Sequence, residues 1–325
     1  MTFRTVLAPI STLILAAPLL SAPADPPPAA RFEEAVGVGW VAVPTLVRTA
    51  GGYVRDLRRT DFELLIDGRS IPIENFDASL DAPVHLVLLQ DTSGSMETAG
   101  KLAASRELAR HLFSEARAAD QFAIATFSAG RLAVEVPFTL DRQALAESVD
   151  GWEAWGTTAL HDAVAWLPTL TADRDGVKRA AVLVTDGLDN ASSFDAEAAR
   201  DLIRQAQLPV YVFGFETGDA YVLGADGRKI FRNADMLNLL ARLSGGQYYP
   251  LRDPDDLKEA VVDLVEDLRH QYVLGFSVAD DGSSAQHRIQ VRTRGGGRRT
   301  VTARTAYRGG NPLAAIRPSG SASKQ

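Results

Sequence analysis

The 325-residue sequence contains no cysteine. This absence excludes disulfide bonds, a thiol nucleophile, a cysteine-ligated zinc site and lipid attachment through cysteine. An excess of positive charge is also lacking, because 34 Lys and Arg residues against 41 Asp and Glu residues give a formal net charge of −7. Binding to the phosphate backbone of nucleic acid depends on positive charge, so we expect no DNA or RNA partner.

Long apolar runs are confined to the start of the sequence. Arg4 precedes an apolar stretch over residues 6–20, and residues 22–24 form an A-x-A cleavage sequence. This pattern predicts a secretory signal peptide over residues 1–24 and export to the periplasm or the extracellular space, with an uncleaved N-terminal anchor as the alternative. No later run approaches the roughly 18 apolar residues of a membrane helix, so we expect no transmembrane segment in the mature chain.

The middle of the sequence alternates apolar strands with helical segments. The strand candidates are VHLVLLQ, QFAIATFS, RAAVLVT and PVYVFGF, each apolar on both faces, as in a parallel sheet covered by helices on both sides. In the segment after the first strand, a helical stripe contains Leu102, Leu108, Ala109, Leu112, Phe113 and Ala116. The alternation predicts an α/β, Rossmann-like domain over residues 82–269, with a hairpin insertion around Asp226 and Gly227.

The flanking segments, residues 25–81 and 270–310, contain short strands and turn sequences. Neither has enough apolar residues to form a core alone, so we expect them to pair into one small β-sandwich-like domain, into which the α/β domain is inserted. The Gly-, Pro- and Ser-rich tail over residues 311–325 has the composition of a disordered segment.

The clearest functional signal is a polar loop directly after the first apolar strand. This loop places a carboxylate and two hydroxyls at alternate positions, Asp91, Ser93 and Ser95. Two later loops add Thr158, just before a helix, and Asp186, at the end of another strand. Ligands of open α/β sheets bind at the carboxyl ends of the strands, and hard oxygen ligands suit Mg²⁺ or Mn²⁺. These residues therefore predict a metal site.

The same residues resemble the metal-ion-dependent adhesion site of von Willebrand factor A-type domains. The D-x-S-x-S sequence of that family corresponds to Asp91, Ser93 and Ser95, its threonine to Thr158 and its second aspartate to Asp186. Thr157 stands where related bacterial sequences often have glycine, which leaves open whether Thr157 or Thr158 faces the metal. The flanks resemble those of secreted bacterial proteins related to the family.

This resemblance implies a non-enzymatic adhesion or scaffolding module whose bound metal captures an Asp or Glu of a protein partner. A metal-assisted hydrolase is one alternative, although no general base stands beside the site and a triad of Ser93 with His161 lacks the G-x-S-x-G sequence. A structural envelope protein with a vestigial site is the other.

Several further residues admit two interpretations. Trp152 and Trp155 are either exposed contacts near the metal or core residues. Asp189 and Asn190 are expected to be surface turn residues rather than supports of the site. A hairpin rich in arginine is expected to be a solvated strand face, with a docking patch for an anionic envelope component as the alternative. Its arginines are Arg288, Arg292, Arg294, Arg298, Arg299, Arg304 and Arg308.

Overall fold

The computed structural model describes residues 37–170, 178–205, 208–216, 221–223, 229–252, 254–280, 285–295 and 297–309. The predicted signal peptide and the predicted disordered tail lie outside these residues. Within the described ranges, no helix has both the length and the apolar character needed to cross a membrane.

A six-stranded sheet forms the centre of the fold. In spatial order its strands are β13 (Tyr248–Leu251), β10 (Val210–Phe215), β9 (Lys178–Thr185), β6 (Val84–Asp91), β7 (Gln121–Ser128) and β8 (Arg131–Thr139). All neighbouring strands are parallel except the edge strand β8, which pairs antiparallel with β7. The structure thus confirms the predicted mixed α/β fold with a mostly parallel sheet.

Helices cover both faces of this sheet, and alternate residues of β9 point to opposite faces. The helices are α1 (Lys101–Glu115), α2 (Arg142–Asp150), α3 (Leu160–Leu170), α4 (Ala196–Gln205), α5 (Asn233–Ser244) and α6 (Pro254–Arg269). Ala180 and Val182 of β9 join one buried apolar cluster with residues of α1 and α6, whereas Ala181 and Leu183 join a second cluster with residues of α3, α4 and α5. This arrangement explains why the strand sequences are apolar throughout.

Strands from the two ends of the chain pair with each other in two further sheets. The first sheet contains β1 (Gly37–Thr49), β2 (Gly52–Tyr53), β5 (Asn75–Asp77), β14 (Tyr272–Asp280) and β16 (Thr300–Ala303). The second contains β3 (Phe62–Ile66), β4 (Arg69–Ile71), β15 (Gln286–Thr293) and β17 (Ala306–Arg308). Val43 and Leu274 of the first sheet and Leu64 and Ile289 of the second belong to one buried cluster. We call these two sheets the β-sandwich.

The β-sandwich adjoins the central sheet at the edge where the parallel strands begin. Lys178, the first residue of β9, donates from Nζ to the carbonyl oxygens of Leu268 and Arg269 at the end of α6. Asp267, which directly precedes Leu268 in α6, forms an ion pair with Arg48 of β1. The candidate site residues lie at the opposite ends of the same strands, after Asp91 and Thr185.

Arg304 corrects one expectation from the sequence. It was assigned to the solvated arginine-rich face, but it is only 2% exposed. Its guanidinium donates to the backbone carbonyls of Ala306, Ala42 and Arg204, the last near the end of α4. Because a planar guanidinium carries five N–H donors, it can donate to several backbone carbonyls at once. Arg304 is therefore part of the junction between α4 and the β-sandwich.

The remaining described strands are β11 (Tyr221–Leu223) and β12 (Lys229–Arg232), which pair antiparallel. They match the predicted hairpin insertion, whose turn at Asp226 and Gly227 lies outside the described residues.

Candidate metal centre

Asp91 ends β6 and is completely buried. Its Oδ1 accepts a hydrogen bond from the Ser93 amide at 2.9 Å, and its Oδ2 accepts one from Thr185 Oγ1 at 2.6 Å. Burial raises the pKa of Asp91 to about 6, the hydrogen bonds from Ser93 and Thr185 oppose that rise, and the negative charge of Asp186 adds to it. The carboxylate is thus held in one orientation in surroundings that favour a nearby cation.

The two serines of the loop lie side by side. Ser93 is fully buried and Ser95 is half-buried, with 3.2 Å between their Oγ atoms. The backbone of this loop is anchored to neighbouring loops, because the Thr92 amide donates to Phe127 O and the Gly94 amide donates to Gly156 O, both at 3.0 Å. The serine hydroxyls are therefore fixed near the end of β6.

Thr158 lies against the loop that follows β9. It is 2% exposed, and its backbone amide donates to Asn190 Oδ1 at 2.9 Å, while its carbonyl accepts from the amides of Asn190 and Ala191 at 3.0 Å. Thr157, by contrast, is exposed, and its carbonyl accepts from the Ala129 amide on the other side. Of the two threonines, Thr158 is thus the one packed toward the loop that contains Asp186.

Asp186 is nearly completely buried and forms an ion pair that the sequence did not suggest. Its Oδ2 lies 2.8 Å from Nζ of Lys101, the first residue of α1, and its Oδ1 accepts from the Leu188 amide at 3.3 Å. The same Lys101 ammonium donates to the Ser95 carbonyl at 3.2 Å. Lys101 thus joins the loop after β6 to the loop after β9. A lysine in the first turn of a helix, where acidic residues are favoured, is the signal that could have identified it.

Asp189 and Asn190 were expected to be surface turn residues rather than supports of the site. Asn190 is exposed and Asp189 is half-buried, but both side chains also support the loop before α3. Asp189 Oδ2 accepts from the His161 amide at 3.0 Å and from Ser192 Oγ at 2.6 Å, so it holds the start of α3.

His161 is buried, and its Nδ1 lies 3.1 Å from Phe194 O. Among the contacts of the described residues there is none between Ser93 and His161, so the structure does not form that triad.

The two tryptophans beside the site differ in exposure. Trp152 is 4% exposed and belongs to the core on one face of the central sheet. Trp155 is 53% exposed, and its amide donates to Thr92 O at 2.9 Å. A groove of about 640 Å³ begins at Thr92 and Trp155 and continues between β8 and α2. An exposed aromatic side chain therefore stands beside the candidate site.

The donor set agrees with a hard divalent cation. Two carboxylates and three hydroxyls, from Asp91, Asp186, Ser93, Ser95 and Thr158, are carried by three loops that hydrogen bonds and one ion pair hold together at one edge of the sheet. Oxygen ligands of this kind suit Mg²⁺ or Mn²⁺. In the described part of the chain no cluster of three or more His, Cys, Asp or Glu side chains could hold a metal, so hydroxyl ligands are essential to this assignment.

Comparison with known proteins agrees with this architecture. Residues 86–188 match the family model described as von Willebrand factor type A domain, and the chain has a fold of that type. No curated protein matches the chain.

Solved structures similar to this chain have low sequence identity. The conserved hypothetical protein BatB from Bacteroides thetaiotaomicron is 21% identical, with 57% of this chain and 98% of that chain covered and a TM-score of 0.46. A von Willebrand factor type A protein from Catenulispora acidiphila is 14% identical, with 85% and 74% covered and a TM-score of 0.49. The vWF domain of the type V pili tip protein Mfa5 from Porphyromonas gingivalis is 12% identical, with 57% and 94% covered and a TM-score of 0.47.

Proposed function

We propose that this protein is an exported, non-enzymatic binding module that captures an acidic residue of a protein partner through a Mg²⁺ or Mn²⁺ ion. One observation carries the proposal: the loops after β6 and β9 and the loop before α3 converge, with Asp91, Thr158 and Asp186 all buried at one edge of the sheet. Adhesion or scaffolding in the periplasm or the extracellular space is the function that fits such a module.

Asp91, Ser93, Ser95 and Thr158 are the proposed direct ligands, and Asp186 supplies the second negative charge. Thr185 and the Ser93 amide hold the Asp91 carboxylate, and Asn190 holds the Thr158 backbone. An ion bound to these oxygens supplies the positive charge that a carboxylate of the partner meets. The chain itself provides the orientation of the ligands and the exclusion of water from the buried ones.

Trp155 is the proposed first contact of the partner outside the ligands. Its side chain is exposed beside a backbone that is tied to Thr92, so it is accessible and well placed. Exposed aromatic residues on a rigid backbone are common anchors of protein interfaces. The adjoining groove gives the rest of the partner's chain a surface to follow.

The arrangement gives less support to a hydrolase. Metal-assisted hydrolysis needs a base that activates water. His161 is the histidine nearest in sequence to Thr158, and its Nδ1 contacts the carbonyl of Phe194 and the carboxylate of Asp189. The carboxylates of Asp91 and Asp186 already have partners in Thr185 and Lys101. This is the basis on which we favour binding over catalysis.

The first test is calorimetric titration of the purified protein with Mg²⁺ and Mn²⁺. Asp91→Asn keeps the shape but removes a charged ligand, so we expect it to abolish measurable binding. Thr158→Val keeps the shape but removes the hydroxyl, and we expect it to weaken binding at least about tenfold, as an under-coordinated ion is bound poorly. Thr157→Val is the matched control and should bind like the wild type.

The second test addresses the partner. A partner protein captured from an envelope extract in Mg²⁺ should be released by a chelator and should not be captured by Thr158→Val. Replacing one acidic residue of the identified partner by alanine should abolish its binding.

For the calorimetric test, equal metal binding in wild type and Asp91→Asn contradicts the site assignment. Capture that persists in the chelator contradicts the proposed mode of recognition.

A further inference from the structure

The ammonium of Lys101 is a charge at the candidate centre that the sequence did not predict. It contacts Asp186 Oδ2 at 2.8 Å and the Ser95 carbonyl at 3.2 Å, while the Lys101 side chain is 12% exposed and that of Asp186 is fully buried. An ion pair this shielded from water interacts strongly, because little solvent screens it.

Local helix physics does not explain this placement. Lys101 is the first residue of α1 and follows Gly100, which adopts a left-handed conformation. The positive end of the helix dipole lies there, so a cation at this position is disfavoured by the helix itself. The contacts with Asp186 and Ser95 are what stabilise the ammonium at this position.

We propose that Lys101 is a built-in counter-cation of the metal centre, which lowers metal affinity and makes the loaded centre selective for an anionic partner group. The inference rests on the proposed function. Two carboxylates and the ammonium give the protein side a charge of −1, so a divalent ion brings the centre to +1. Without the ammonium the loaded centre is neutral, and its attraction for a carboxylate is weaker.

A structural role for Lys101 predicts the opposite result. If the lysine only braced the Ser95 loop, then its replacement would loosen the ligands and weaken metal binding. A counter-cation repels the incoming ion, so its replacement tightens metal binding. The sign of the change in metal affinity therefore distinguishes the two roles.

The experiment is calorimetric titration of the full chain with Mg²⁺ and Mn²⁺. We expect Lys101→Met to bind each ion at least about tenfold more tightly than the wild type, the scale of removing one like charge a few ångströms away in poorly solvated surroundings. Lys101→Arg keeps the charge and should stay within about threefold of the wild type. Lys258→Met makes the same change at an exposed position of α6 and should have no effect.

A double-mutant cycle with Asp186→Asn locates the effect. Without the Asp186 carboxylate the ammonium loses its ion pair and keeps only the Ser95 carbonyl. Because it is then held less firmly at the centre, Lys101→Met should change metal affinity less than about threefold in that background.

The selection of anions is measured by adding acetate to Mn²⁺-loaded protein and following water-proton relaxation. Acetate should bind Lys101→Met at least about threefold more weakly than the wild type. This difference in acetate affinity should become smaller with added salt.

The outcomes separate the two proposals. Tighter metal binding by Lys101→Met together with weaker acetate binding supports the counter-cation. Equal or weaker metal binding by Lys101→Met, with wild type that binds metal, overturns it and leaves the proposed function standing. Equal acetate binding overturns the selection for anions. If neither the wild type nor Lys101→Met binds metal, then the proposed function and this inference both fail.

Discussion

Asn190 and the Thr158 backbone hold each other by two hydrogen bonds, one through the Asn190 side chain and one through its backbone. Asn190 Oδ1 accepts from the Thr158 amide at 2.9 Å, and the backbone amide of Asn190 donates to the Thr158 carbonyl at 3.0 Å. Because Thr158 lies two residues before α3 and Asn190 follows β9, this pair fixes one loop of the candidate centre on another. The position of the Thr158 hydroxyl therefore depends on a residue that is not itself a proposed ligand.

Asn190→Ala should weaken Mg²⁺ binding, because it leaves the Thr158 amide without its acceptor and leaves the loop held only by the backbone bonds to the Thr158 carbonyl. We expect a loss of roughly threefold to tenfold in affinity and about 1 kcal/mol in the free energy of unfolding. Calorimetry and urea unfolding measure the two changes. Asn190→Asp retains the acceptor oxygen and should bind at least as well as the wild type. Metal binding by Asn190→Ala that equals the wild type would show that the pair does not position the ligand.

Gly245, which follows α5, should not tolerate a side chain. Its φ is +85°, and a Cβ there would lie 2.6 Å from the backbone nitrogen of Arg304. Backbone cannot move aside as a flexible side chain can, so Gly245→Ala should lower the free energy of unfolding by about 3 kcal/mol. The control is Gly68→Ala, where φ is +79° and no atom lies within 4 Å. Its cost should be only the conformational strain, about 1 kcal/mol. Equal losses in urea unfolding would contradict the close approach.

Asp120 should be important for stability because it neutralises a buried arginine. Asp120 and Arg269 form an ion pair whose side chains are 3% and 8% exposed, and Asp120 also accepts from the amides of Val84 and Arg117. Asp120→Ala leaves that charge unpaired and should cost about 3–5 kcal/mol. Adding Arg269→Met to this variant should recover part of the loss, since it removes the unpaired charge. An additive or larger loss in the double variant would refute this account.

Because of Lys178, the free energy of unfolding should increase with pH in the alkaline range. Burial lowers the pKa of its ammonium to about 8, with Asp77 acting in the opposite direction, whereas the ordinary value is 10.5. Between these two pKa values the folded protein has released a proton that the unfolded chain retains, so the free energy of unfolding rises with pH. Below pH 8 the lysine is charged in both states, and the folded protein bears the full cost of burying that charge.

Lys178→Met provides the comparison, because it lacks this titration. From pH 7 to pH 9.5 the wild type should gain about 1 kcal/mol relative to Lys178→Met, after allowance for partial solvent screening. Guanidinium unfolding of both proteins at the two pH values measures the difference. A constant gap between the proteins would mean that the ammonium titrates normally in the folded state.

In the central sheet, the strands that the sequence predicted are those with the strongest packing signal. β6, β7, β9 and β10 are buried on both faces, so their apolar sequences left little ambiguity. β8 was not predicted, because it is an antiparallel edge strand whose side chains are largely exposed. Because few of its side chains are buried, its sequence lacks a clear apolar pattern. Its position is set by pairing with β7.

The candidate ligands were predicted because they follow strands at fixed positions along the chain. The partners of these ligands were not predicted, because they lie far away in the sequence. Lys101 is 85 positions from Asp186, and Asn190 is 32 positions from Thr158. Arg304 shows the same limit, because an arginine in a basic segment resembles a surface residue until three carbonyls surround it. Such contacts depend on tertiary packing and leave no periodic trace in the sequence.

The position of the β-sandwich has a mechanical consequence. The chain enters the central sheet from β5 and leaves it through α6 into β14, and β5 and β14 are hydrogen-bonded neighbours. Under the proposed function, tension between a partner held after Asp91 and the β-sandwich would run lengthwise along the parallel strands. Rupture under such a load would require the strands to shear, which breaks many hydrogen bonds together rather than one after another. The direction of the strands relative to the proposed site would therefore set how the fold responds to a pulling force.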